Sequence, residues 1–126
     1  MNNEVIVAKP LYLNEPKLAL DFLIRNLEFA IHRHTASKNP DNVTICDNYG
    51  NFYEVVLHSP QSGTSRNNPP LVINTTDCLQ VFHTLELKGM LILSRPHYIT
   101  EGLAFEICDY WYNRYTFLEK RDYSDQ

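Results

Sequence analysis

Thr100-Glu101-Gly102-Leu103-Ala104-Phe105-Glu106-Ile107-Cys108-Asp109-Tyr110-Trp111-Tyr112-Asn113-Arg114-Tyr115 is the stretch on which the fold turns. Threonine is a good helix N-cap. Leu103, Ala104, Ile107, Cys108, Trp111 and Tyr115 recur at the three-and-four spacing that lines one side of a helix. The segment therefore predicts a C-terminal helix with a broad apolar side. Tyr110, Trp111 and Tyr112 are consecutive, so on a helix they point in three directions and one face cannot bury them all. With Tyr98 and Tyr115 they form the candidate interaction surface, because tyrosine and tryptophan are enriched where protein interfaces carry their energy. The competing reading is a wide helix packed on a sheet with its hydroxyls reaching water.

Upstream, Leu71-Val72-Ile73 predicts a buried strand, and Thr75 or Thr76 caps a helix starting at Asp77. Cys78, Phe82 and Leu85 fall on one side of that helix, and Gly89 ends it. Met90 to Leu93 reads as a short strand, Ser94-Arg95-Pro96 as a turn and His97-Tyr98-Ile99 as the returning strand. Ser59 to Pro70 is a polar loop, either a connector or a second contact surface.

In the N-terminal half, Val5-Ile6-Val7 suggests a short edge strand. Asn14-Glu15-Pro16 marks a helix start, and Leu20, Leu23, Ile24, Leu27, Ala30 and Ile31 extend an apolar face to about His34. Leu18, Phe22 and Phe29 add a second stripe, so this long helix is expected to be central or packed in a dimer. Val43 to Cys46 and Phe52 to His58 alternate around the turn Asp47 to Asn51, which predicts a hairpin. No internal repeat or low-complexity block stands out. The fold class expected is α+β: an antiparallel sheet packed by the long N-terminal helix and a C-terminal helix–hairpin–helix, in one domain over residues 1–126.

The stretch Asp77 to Tyr115 resembles the C-terminal half of a winged-helix domain. Leu85-Glu86-Leu87-Lys88-Gly89-Met90-Leu91-Ile92 is similar to the end of its recognition helix and the first wing strand. His97-Tyr98-Ile99-Thr100-Glu101-Gly102-Leu103 is similar to the second wing strand and the start of the last helix. The resemblance covers about a third of the chain and departs from the family where a loop and a strand replace the helix before the recognition helix. It implies that Gln80, His83, Thr84 and Lys88 face a DNA groove while Arg95 and His97 approach phosphates at the wing. Asp77 and Glu86 on the same helix would repel phosphate.

Composition narrows the function. Eleven basic against fifteen acidic residues give a net charge of −4 in 126 residues, which works against nucleic acid and favours a basic partner. No apolar run approaches the ~20 residues of a membrane span, and Met1-Asn2-Asn3-Glu4 does not begin a signal peptide, so a cytoplasmic protein is expected. Three cysteines suggest free thiols in a reducing compartment, and Asn42-Val-Thr44 and Asn74-Thr-Thr76 match the glycosylation pattern by chance on that reading.

No motif nominates an active site. His32 and His34 diverge on a helix, and neither C-x-x-C, H-x-x-x-H nor a glycine-rich phosphate loop occurs, so no metal or other cofactor is expected. Cys78 is the strongest thiol candidate because a helix N-terminus acidifies a thiol, although a core cysteine is the favoured reading. The resulting expectation is a non-enzymatic regulatory module with a protein partner, a second copy of itself among the candidates. Its specific form is an inhibitor of a nucleic-acid-binding partner such as a defence-system protein. The alternative is a winged-helix DNA-binding regulator.

Overall fold

A computed structural model describes residues 7–32, 42–57 and 68–121. The chain divides into two units, residues 1–64 and 65–126. The first contains β1 (Lys9–Leu11), α1 (Pro16–Asn26), β2 (Ala30–Ile31), β3 (Asn42–Cys46) and β4 (Phe52–Val56). The second contains β5 (Leu71–Asn74), α2 (Cys78–Leu87), β6 (Leu91–Ile99), β7 (Gly102–Cys108) and β8 (Arg114–Lys120). Each unit has its own four-stranded sheet, in the orders β1-β4-β3-β2 and β5-β8-β7-β6. The first strand of each unit pairs parallel with the last, and the other pairings are antiparallel.

The two units thus share one βαβββ plan, and the expectation of no repeat is corrected. The duplication has a sequence signature. Ile45, Cys46, Asp47, Asn51 and Tyr53 match Ile107, Cys108, Asp109, Asn113 and Tyr115 at one constant offset. The same offset relates the positive-φ residues of the two turns, Gly50 at 84° and Tyr112 at 66°. In each turn the aspartate accepts the backbone N–H groups two and four residues on, and the asparagine side chain donates to its second oxygen. Such Asx bonding fixes a turn that closes a hairpin.

The decisive correction lies at residues 100–115, which form β7, a turn and β8 rather than a helix. Leu103, Ala104, Phe105 and Ile107 are all buried, so both faces of this segment are apolar and its period cannot separate helix from strand. Long-range pairing separates them: Phe105 opposes Phe117 and Ile107 opposes Tyr115. Gly102 adds a local reason, since at φ 152° a side chain there would run into the Glu119 carbonyl.

The winged-helix resemblance fails with it. Leu91 to Ile99 is one strand paired along its length to β7, with register irregularities at residues 92–97 where a wing turn was expected. Pro96 is tolerated because β6 is an edge strand.

The long N-terminal helix is also corrected. α1 stops at Asn26, after 11 residues. Leu27 and Phe29 both donate backbone N–H bonds to the Leu23 carbonyl, and Glu28 takes φ 62°, which turns the chain into β2. Asn14 is not the cap; Glu15 holds that position without a side-chain cap bond, and Pro16 supplies the first-turn φ. The expected helix end at His34 and residues 59–67 of the polar loop lie outside the described residues. So do Val5 and Ile6, and β1 begins only at Lys9. The architecture is therefore two short helices and two mixed sheets, not a single antiparallel sheet under a long helix.

Other elements form where expected. β3 and β4 make the hairpin around residues 47–51. α2 buries Cys78, Phe82 and Leu85, with Asp77 rather than a threonine as its cap through a bond from Gln80 N–H at 3.1 Å. In the second core, Phe105 stacks on Phe117 at 5.0 Å and meets the edge of Phe82 at 5.2 Å, which seats α2 on the sheet.

Candidate functional site

The contact of Phe82 with Phe105 identifies the face of the second sheet that α2 covers. Alternation along the strands places Phe105, Ile107, Tyr115 and Phe117 on that face, and Asn74, Glu106, Cys108, Arg114 and Thr116 on the opposite one. Glu106 opposes Thr116, which in turn opposes Val72, so a carboxylate, a hydroxyl and an apolar side chain form one row across three strands.

Two atoms on this helix-distal face are buried with no hydrogen-bond partner: Glu106 Oε1 and Asn74 Oδ1. A buried acceptor without a donor costs about 1–3 kcal/mol, which folded proteins seldom leave uncompensated. Arg114 does not close on the carboxylate. Its Nη1 stands 3.7 Å from Glu106 Oε1, while its Nη2 donates to the Asn68 carbonyl at 3.0 Å. The guanidinium is held to one side and gives Glu106 charge compensation without a hydrogen bond.

Apart from Asn74, which begins a glycosylation match read as chance, none of these residues was singled out by motif. The signal in sequence is the polar positions Glu106, Arg114 and Thr116 between apolar ones in strands, visible only once the segment is known to be a sheet.

The sequence-predicted residues are dispersed. Tyr98, Tyr110 and Tyr112 are 65%, 75% and 53% exposed, so aromatic rings do stand at the surface. They are held by strand and turn, with Tyr110 and Tyr112 at the β7–β8 turn and Trp111 half-buried beside Tyr110. Tyr115 is fully buried and donates its hydroxyl to Asp109, so it leaves that set. Burial, with the Asp109 carboxylate next to it, pushes its phenol above the usual range.

Gln80, His83 and Thr84 are exposed on α2, and Lys88 is exposed at its C-terminal cap. Arg95 pairs with Glu86 at 3.0 Å and lies over the Phe82 ring, and His97 Nδ1 faces the Arg95 carbonyl. With no wing beside the helix, this set has no groove-reading geometry, and the DNA-binding assignment falls with the winged helix.

Cys78 is fully buried, and its thiol is pushed up to about 11 by burial and by Glu119 and Asp77. The helix N-terminus does not produce a reactive thiolate here. Among the described residues, no three His, Cys, Asp or Glu side chains group to hold a metal ion. A recess of about 100 Å³ beside Lys9, Asn51 and Tyr53 in the first unit is small against the roughly 300–1,000 Å³ of ordinary ligand pockets.

No protein-family model and no curated protein matches the chain. Solved structures do match, over nearly the whole chain. A glyoxalase/bleomycin resistance protein/dioxygenase superfamily member from Sphaerobacter thermophilus aligns at TM-score 0.65 and 20% identity, covering 92% of this chain and 98% of that one. The fold is the glyoxalase/bleomycin-resistance fold.

A glyoxalase/bleomycin resistance protein/dioxygenase from Alicyclobacillus acidocaldarius gives TM-score 0.63 at 18% identity, with 96% and 95% coverage. TnmS3, an antibiotic binding protein from Streptomyces sp. CB03234, gives 0.67 at 13% identity, with 95% and 100% coverage. The glyoxalase/bleomycin-resistance fold replaces both the winged-helix resemblance and the regulator role attached to it. No helix among the described residues is long and apolar enough to cross a membrane.

Proposed function

We propose that this protein is a non-enzymatic module that binds a small organic molecule on the helix-distal face of its second sheet. The observation that carries this reading is the pair of buried acceptors there without a hydrogen-bond partner, Glu106 Oε1 and Asn74 Oδ1. They lie beside Thr116 and the half-exposed apolar Val72. A few placed polar groups among apolar ones are the usual make-up of a ligand site. The fold shared with an antibiotic binding protein supports the same reading.

A fragment screen on isotope-labelled protein by amide NMR tests it. Hits should shift β5, β7 and β8 resonances around Glu106, Thr116 and Asn74. A screen in which no fragment moves those resonances removes the proposal.

A protein partner is the second reading, favoured by Tyr110 and Tyr112 projecting from the β7–β8 turn at 75% and 53% exposure. The turn is held by Asp109, so the rings are presented with little ordering left to lose on association. Self-association through them would show as a dimer in light scattering that the double substitution Tyr110→Ala, Tyr112→Ala converts to monomer. The narrower idea of an acidic inhibitor of a nucleic-acid-binding protein has the net charge of −4 as its support.

A further inference from the structure

We infer that the ligand of this sheet face carries a protonated amine and that Glu106 receives it. This rests on the small-molecule reading above and adds the ligand's chemical class. Among the described residues the buried side-chain atoms without a hydrogen-bond partner are Asn42 Oδ1, Asn74 Oδ1 and Glu106 Oε1, and every one is an acceptor. What these surfaces lack is donors. Glu106 is the most informative of the three, because exchanging the two ends of an amide can turn an acceptor into a donor and a carboxylate offers no such exchange.

The ion pair with Arg114 leaves that oxygen without a hydrogen bond. Arg114 stays at 3.7 Å, outside hydrogen-bond distance, and is drawn away by its bond to the Asn68 carbonyl. An ammonium group supplies the missing donor, with several N–H bonds in a compact charged head. The Glu106 side chain keeps 25% of its surface exposed, although Oε1 itself is buried.

The neighbours define the remainder of the ligand. Thr116 opposes Glu106, and Val72, 44% exposed, lies one strand further. An apolar body extending from the amine would rest against Val72. Asn74 lies on the same strand as Val72, two residues on, where a second donor on the ligand would meet its Oδ1. From Glu106 that position is two strand spacings across the sheet and two residues along it, roughly 12 Å away. An aromatic or aliphatic amine with a second N–H donor fits that span.

Three probes with one ring system test the inference: tryptamine, 3-methylindole and indole-3-propionate, each titrated at millimolar concentration into labelled protein. Tryptamine should shift the amides around Glu106 and Thr116, and Glu106→Gln should weaken it about tenfold, the loss expected for a charge-assisted hydrogen bond. Glutamine keeps the size of the side chain, and an unchanged spectrum elsewhere reports an intact fold. Should indole-3-propionate bind this face as tightly as tryptamine, or Glu106→Gln leave tryptamine affinity unchanged, the amine assignment is overturned while small-molecule binding stands. Silence from all three probes at β5, β7 and β8 overturns both.

Discussion

The hydroxyl of Tyr115 donates to Asp109 Oδ2 at 2.8 Å, inside a site where both side chains are buried. Asp109 also accepts from the Trp111 and Asn113 backbone N–H groups and from Asn113 Nδ2, so its two oxygens meet four donors. A buried carboxylate so surrounded holds the β7–β8 turn and ties it to the strand that follows. Tyr115→Phe removes one donor of four and should cost about 1–2 kcal/mol. Asp109→Ala strands all four donors and should cost about 3 kcal/mol or more. Urea unfolding of both variants checks the order. Equal losses would mean that the tyrosine bond carries the whole effect.

Gly102 sits where β7 begins, at φ 152°, with its Cα against the backbone of Glu119 and Arg121. An alanine methyl there meets main-chain atoms, which cannot rotate aside. Gly102→Ala should therefore destabilise by about 3 kcal/mol, at the upper end of overpacking costs. Gly50→Ala is a control for the backbone alone, since its φ is also positive but open space surrounds it. Thermal melts of the two variants should rank Gly102→Ala well below Gly50→Ala.

Glu119 Oε1 accepts the Cys78 backbone N–H at 2.9 Å, capping α2 from across the sheet, while Oε2 accepts from Arg121. The bond from Cys78, helped by Arg121 and opposed by burial, holds the Glu119 carboxyl below the usual glutamate value of 4.5. A carboxyl whose folded pKa lies below its unfolded one contributes stability that is present above pH 4.5 and lost as pH falls through the folded value. Glu119→Gln should make stability less sensitive to acid below that pH. Denaturation midpoints at pH 7 and on the acid side check this, with the wild type losing more than the variant on acidification.

Some of the fold was legible in the residues. The hairpin at 43–56 follows from alternation on either side of Asp47 to Asn51, and α2 follows from Cys78, Phe82 and Leu85 together with the Gly89 stop. The duplication was legible too, in Ile45-Cys46-Asp47 and Asn51 with Tyr53 recurring as Ile107-Cys108-Asp109 and Asn113 with Tyr115. That match is easily passed over, because the repeated residues are set by two turns and two strands and the helices between them share little.

The candidate site was not legible. Glu106 in a helix is an ordinary polar residue; in β7 it stands across from Thr116 with an oxygen lacking a donor. Helix and strand readings distribute the same side chains over different neighbours, so the site appears only after that choice is made.

By themselves, the residues determined short-range matters: the turn at 47–51, the glycine-terminated α2, and an apolar composition large enough for a core. Tertiary structure decided whether residues 102–108 run as helix or strand, since apolar side chains on both faces satisfy either period and the choice rests on partners at 91–99 and 114–120. It likewise decided where α1 ends, because Leu20 to Ile31 continues the helical pattern while Ala30 and Ile31 gain strand partners at Cys46 and Ile45. Those partners lie about fifteen residues on, outside the window in which a helical period is read.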